Sequence, residues 1–130
     1  MIDVKRQYLT GQSLGGVGTW HIGYNYHERF AAMIIICGPI LEPSGFNPIP
    51  GSTNPYGALA ARLAGKPLWI FHGEEDRAVP VREARKMAAE LQARNANFKY
   101  TEYPHTQHNS WDKAYADENL PDWMMSQRLP

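Results

Sequence analysis

Three side chains in this chain have the types, and come in the order, that a hydrolytic reaction can use. The first is Ser13, inside Gly11-Gln12-Ser13-Leu14-Gly15, a G-x-S-x-G pattern. The pattern suits a nucleophile held on a sharp turn from strand to helix, where small residues two before and two after the serine let chain segments pass closely. A serine hydroxyl alone is a weak nucleophile. It needs a base to take its proton, and the base needs a third group that fixes its tautomer and stabilises the imidazolium that forms.

The acid and the base should follow later strands. Asp76 lies in His72-Gly73-Glu74-Glu75-Asp76-Arg77-Ala78-Val79-Pro80, between a strand candidate and a helix. Glu74 and Glu75 share that turn and read better as surface charge, because the acid needs burial beside the base. Asp76 also reads as an ordinary turn residue near a helix. For the base, His108 and His105 compete within Tyr103-Pro104-His105-Thr106-Gln107-His108-Asn109-Ser110-Trp111. His108 starts a loop-to-helix transition, the usual place of the base, whereas His105 is nearer the strand end. His72 closes a strand and reads as packing against the Asp76 turn. His21 and His27 belong to the helix after Ser13, where a histidine can simply cap carbonyls. Ser44, Ser52, Ser110 and Ser126 have no glycine-flanked turn.

Four strand candidates alternate with helices and carry these residues. They are Arg6–Thr10, Ala32–Cys37, Pro67–His72 and Phe98–Tyr103. The second is a continuous apolar run of the kind buried on both faces of a parallel sheet. A helix-compatible run follows Ser13 and should end near His27-Glu28-Arg29-Phe30. A second helix starts near Pro80, with Ala84, Met87, Ala88 and Leu91 as its apolar stripe and Arg82, Glu83, Arg85, Lys86 and Glu90 on its wet face. The alternation predicts a mostly parallel α/β sheet. Residues 38–57 hold Pro39, Pro43, Pro48, Pro50 and Pro55 with Gly38, Gly45, Gly51 and Gly57, and read as a loop. It leaves the C-terminal end of a strand, where α/β sheets bind ligands. A substrate wall and a surface excursion without a role are equally compatible with it.

Tyr8 to Gly16, His72 to Asp76 with Val79-Pro80-Val81, and Tyr100 to Pro104 with His108 to Trp111 resemble the α/β-hydrolase superfamily. More narrowly, they resemble serine esterases of the phospholipase/carboxylesterase and dienelactone-hydrolase-like group, some of whose members are described as prolyl-oligopeptidase-like. The resemblance covers nearly the whole chain. It implies Ser13 as nucleophile, Asp76 as acid and His108 as base. The Leu14 N–H can supply one oxyanion donor, and the chemistry requires no metal or organic cofactor, none being signalled by ligand spacing. Dienelactone hydrolases proper carry cysteine at the nucleophile position, so the serine here favours a plain ester.

The resemblance also implies a truncated α/β-hydrolase, with a sheet of about four strands equivalent to strands 5–8 and flanked by helices. The usual second oxyanion donor comes from the loop after the third strand of that fold, which this chain would lack. Loss of one donor costs about 10²–10³ in turnover in a measured case, so a slow esterase is expected. The Arg6–Thr10 strand would be an exposed sheet edge, which invites pairing with another chain. A homodimer or higher homo-oligomer through that edge is therefore expected.

The whole chain sets the remaining bounds. Its 130 residues predict a single domain, 1–130. Lys plus Arg (13) equals Asp plus Glu (13), so no basic surface argues for nucleic acid or an anionic membrane. Cys37 is the sole cysteine, which excludes an internal disulfide. No apolar run approaches the roughly 18 residues of a membrane span. Residues 1–10 lack a signal-peptide core, so the chain as it stands is expected in the cytoplasm. Three functions fit: an esterase acting on small or short-acyl esters through an acyl-enzyme, a poorly active remnant that binds or oligomerises, and a peptidase. The poorer leaving group of an amide weighs against the peptidase.

Overall fold

The computed structural model describes residues 1–130. The elements are β1 (Tyr8–Gln12), α1 (Leu14–Tyr26) running into a 3-10 turn (His27–Arg29), β2 (Ala32–Ile36), α2 (Pro55–Leu63), β3 (Leu68–Gly73), α3 (Arg82–Ala93), β4 (Phe98–Tyr103), α4 (Trp111–Tyr115) and α5 (Leu120–Ser126). The strands form one sheet in the order β1-β2-β3-β4, with every pair parallel. This is the α/β-hydrolase arrangement expected for strands 5–8.

The central strands are buried along their whole length, β2 and β3 alike. Their alternating side chains feed two separate cores. Met33, Ile35, Leu68 and Ile70 point to one face, where Trp20 of α1, Leu59 and Leu63 of α2, and Met87 and Leu91 of α3 cover them. Ile34, Ile36, Trp69 and Phe71 point to the other, under Ala114 of α4 and Leu120 of α5. A period-2 strand with both faces apolar reads as an unbroken hydrophobic run, which is why these strands were visible in the sequence. On the second face Trp69 stacks on Phe71 at 4.9 Å and meets Trp123 edge-on at 5.4 Å.

Two boundaries and one burial differ from the sequence reading. Strand β1 spans Tyr8–Gln12 rather than Arg6–Thr10. Asp3 holds the preceding segment in a turn through Lys5 N–H at 2.9 Å and Arg6 N–H at 3.0 Å, and pairing with β2 then runs from Tyr8↔Ala32 to Gln12↔Ile36. Helix α2 begins at Pro55, inside the segment read as loop. Asn54 caps it by accepting the Gly57 N–H at 3.1 Å, and a proline at the first helical position costs no hydrogen bond. Glu83 is not on the wet face of α3: it is fully buried. Its partners come from residues 40–42 and 56, which helical periodicity cannot reveal.

Candidate active site

Ser13 is the single residue between β1 and α1. Its N–H extends the sheet ladder to the Ile36 carbonyl at 2.9 Å. Helix α1 starts at the next residue, so the chain must turn within Ser13 itself. The turn forces φ 53° and ψ −119° on a non-glycine residue, a sparsely populated conformation that costs about 1–3 kcal/mol. Gly11 is required two residues earlier, because a Cβ there would overlap the Gly15 carbonyl. The expectation for Gly15 itself does not hold, since a Cβ there would meet nothing within 4 Å. The close approach on that side belongs to Gly16, whose added Cβ would lie 2.5 Å from the Gly38 Cα.

Asp76 follows β3 in a tight turn. One carboxylate oxygen, Oδ1, accepts the N–H groups of Ala78 at 2.9 Å and Val79 at 2.8 Å. Those bonds fix the other oxygen, Oδ2, toward His108. The loop after β4 reaches the same place because Glu75 N–H donates to the Thr106 carbonyl at 2.9 Å. Gly73 has no Cβ to collide with that carbonyl.

These turns bring together the three residues read from the sequence. Ser13 Oγ lies 3.0 Å from His108 Nε2, and His108 Nδ1 lies 2.8 Å from Asp76 Oδ2. The Asp76 side chain is fully buried and that of His108 is 29% exposed, so the chain of contacts runs from protein interior to solvent. The carboxylate can only accept at Nδ1, so the network assigns the proton to Nδ1 and leaves Nε2 free to accept from Ser13. Trp111 stands edge-on to the His108 ring at 5.5 Å. Leu14 begins α1 and is 81% exposed. Its N–H is among the first of the helix, which have no intrahelical acceptor.

The competing histidines sit elsewhere. His105 is exposed, with Nδ1 3.5 Å from Glu75. His72 packs behind Asp76, its Nε2 2.9 Å from the Val79 carbonyl and 3.4 Å from Asp76 Oδ2. Burial holds the His72 imidazole below its usual value of 6.5. It is therefore a neutral donor to Val79 that braces the turn carrying Asp76.

Cys37 was missed as a neighbour of the site. It follows β2 at φ 43°, and its Sγ, an Asp76 oxygen and a His108 nitrogen all lie within 4.8 Å of one another. Burial pushes the thiol up to about 11, so it stays protonated and is no rival nucleophile at neutral pH. Those three atoms, and the exposed group Glu74, Glu75 and His105, are the clusters with metal-ligand types. In the first, the His108 nitrogens and Asp76 Oδ2 are already engaged in the contacts with Ser13 and with each other. The three concavities of about 420–470 Å³ lie elsewhere, the largest against Met1–Lys5 and another between Tyr56 and Lys86.

Residues 51–126 match the sequence model of the Prolyl oligopeptidase family. The chain belongs to that family. Solved structures agree on the α/β-hydrolase fold. A thermostable esterase is 32% identical with a TM-score of 0.81, covering 98% of this chain and 32% of its own. SOBER1 of Arabidopsis thaliana is 16% identical with a TM-score of 0.69 over 95% of this chain and 54% of its own. A puromycin-hydrolyzing peptidase of Mycobacterium tuberculosis is 21% identical with a TM-score of 0.68 over 84% of this chain and 19% of its own. The last two likenesses concern the fold alone. The chain thus spans about a third of the esterase's length and about half of SOBER1's. No curated protein sequence matches it. No helix is long and apolar enough to cross a membrane. The chain is thus a member of a serine-hydrolase family with the α/β-hydrolase fold.

Proposed function

We propose that this protein is a serine esterase acting on small or short-acyl carboxylic esters, with Ser13, His108 and Asp76 as its catalytic triad and residues 1–130 as one unit. The observation that carries the reading is the unbroken chain of contacts from Ser13 Oγ to His108 at 3.0 Å and from His108 to Asp76 at 2.8 Å. Ser13 Oγ attacks the ester carbonyl carbon while its proton passes to His108 Nε2. The negative charge that develops on the carbonyl oxygen is met by the Leu14 N–H. Collapse of the tetrahedral intermediate breaks the bond to the alcohol, which takes the proton back from His108 and leaves an acyl-Ser13. Water, deprotonated by His108, then releases the acid and restores Ser13. Asp76 keeps the imidazole in the required tautomer throughout and stabilises its charged form. No step calls for a cofactor.

A fluorophosphonate probe tests this directly. Ser13 is expected to be labelled, with labelling abolished in Ser13→Ala and strongly reduced in His108→Ala. Folded wild-type protein that takes up no label contradicts the proposal and supports a non-catalytic binding or oligomerising module. The family and the peptidase among the structural neighbours support a second reading, cleavage of amides. Matched p-nitrophenyl acetate and p-nitroanilide acetate separate the two. The same proposal includes self-association through β1, which is an edge of the sheet. Light scattering at micromolar concentration should show a dimer or larger species, and a single monomeric peak would refute it.

A further inference from the structure

Glu83 is an acidic side chain with no exposure to solvent and no cationic partner. One of its oxygens, Oε1, accepts three successive backbone N–H groups, from Ile40 at 2.9 Å, Leu41 at 2.7 Å and Glu42 at 2.8 Å. The other, Oε2, accepts the Tyr56 hydroxyl. Burial, and then the bond to Glu83, push the Tyr56 phenol up, so it remains the donor. Leaving a buried charge with so exact a set of partners is costly if any is lost. Stability alone does not require it, because a well-packed apolar residue often serves as well or better.

The clamp sits between two segments that support the reactive groups. On one side, residues 40–42 continue the chain that leaves β2. Its Ile36 carbonyl holds Ser13 N–H at 2.9 Å, and its Gly38 lies backbone to backbone against Gly16 in the first turn of α1. On the other side, Glu83 N–H donates to the Pro80 carbonyl at 3.0 Å. That carbonyl follows Val79, whose own N–H holds Asp76 Oδ1 at 2.8 Å. The segment under the nucleophile and the segment that aims the acid are thus joined at one carboxylate.

We infer that Glu83 is a positioning residue for the reaction, holding the Ile36–Glu42 segment so that Ser13 keeps its register with His108 and Asp76. The inference rests on the triad reading given above. It depends on the reach of the side chain more than on its charge. Glutamine keeps an oxygen at the same distance for the three N–H groups, while aspartate keeps the charge but falls one methylene short.

The test compares Glu83→Gln, Glu83→Asp and Tyr56→Phe in the full chain. Fluorophosphonate labelling rate and ester kinetics are measured per folded molecule, together with the downfield NMR resonance of the His108 Nδ1–H. Glu83→Asp is expected to lower labelling and kcat about tenfold with KM nearly unchanged, since a small misplacement far from the chemistry can cost up to ~10²-fold. It should also shift the His108 resonance. Glu83→Gln should restore the labelling rate to within about threefold of wild type. Tyr56→Phe should lower the unfolding midpoint yet label at the wild-type rate, because it spares the bonds to residues 40–42. Equal rates per folded molecule in Glu83→Asp and wild type overturn the inference, as does a Glu83→Gln variant that labels as slowly as Glu83→Asp. Wild-type protein that resists the probe sinks the esterase reading instead. The His108 resonance then still judges Glu83, and an unshifted signal in Glu83→Asp counts against it.

Discussion

The body of the sheet and its C-terminal rim are built on opposite terms. Strands β2 and β3 are buried from end to end, and their side chains from Ala32 to Ile36 and from Leu68 to Phe71 are apolar. The rim one residue beyond β1 and β2, and two beyond β4, holds Ser13, Cys37 and His105, three of the four non-glycine residues at positive φ. The rim also holds Asp76, His72 and the orphaned buried hydroxyl of Ser110. Strain and buried polarity are therefore concentrated where the chemistry is proposed, and the apolar body fixes the positions that sustain them.

That division can be broken by experiment. The largest effect is expected from Ser13→Ala, which should lower ester turnover by on the order of 10⁵-fold, with Asp76→Asn lowering it by about 10⁴-fold. Ser13→Ala should leave the urea midpoint near the wild-type value. Phe71→Ala should do the reverse. It removes a fully buried ring stacked between Trp69 and Tyr103 and should cost about 3–5 kcal/mol in denaturation, with turnover per folded molecule little changed. A Ser13→Ala variant destabilised as much as Phe71→Ala would abolish the distinction between rim and body. Ser13→Gly sharpens it further: glycine relieves the φ 53° turn, so this inactive variant should gain about 1 kcal/mol of stability, read from the same denaturant curves.

The smallest effect concerns pH. Burial depresses the His72 pKa in the folded state. The unfolded chain therefore binds a proton at His72 that the folded chain refuses, and stability should fall as pH drops below about 6.5. Above that value both states are neutral at this residue and it contributes no slope. Asp76, His108 and Glu102 act on His72 as well. Thermal melts from pH 8 to 5 should show the decline, and His72→Gln should flatten it.

The body was the easier part to read from sequence. The continuous apolar run Ala32–Cys37 reads as a strand covered on both faces, and β2 occupies all of it but the last residue, while Phe98–Tyr103 has the bounds its residue types suggest. The order of Ser13, Asp76 and His108 was legible because each occupies a turn after a strand. What stayed hidden depends on contacts between distant residues. Glu83 has the look of a surface residue until Ile40, Leu41, Glu42 and Tyr56 meet it. Pro55 looked like part of a loop, although Asn54 makes it a helix start. The tight crossing beside the nucleophile turn belongs to Gly16 and Gly38, and nothing in the G-x-S-x-G letters announces a partner more than twenty residues on.

The parallel, sequential order of the strands has a consequence for how the protein is made. Ser13 and His108 are 95 positions apart, and Asp76 and His108 are 32 apart. A ribosome therefore delivers the proposed nucleophile first and its proposed base last. The strained Ser13 turn leans on Ile36 and Gly38, which emerge well after it, and the proton relay cannot close until β4 has docked beside β3. Long-range closures of this kind are slow steps in folding. A nascent or prematurely released chain should thus carry an unactivated serine, and hydrolytic competence should appear only once the last strand is in place.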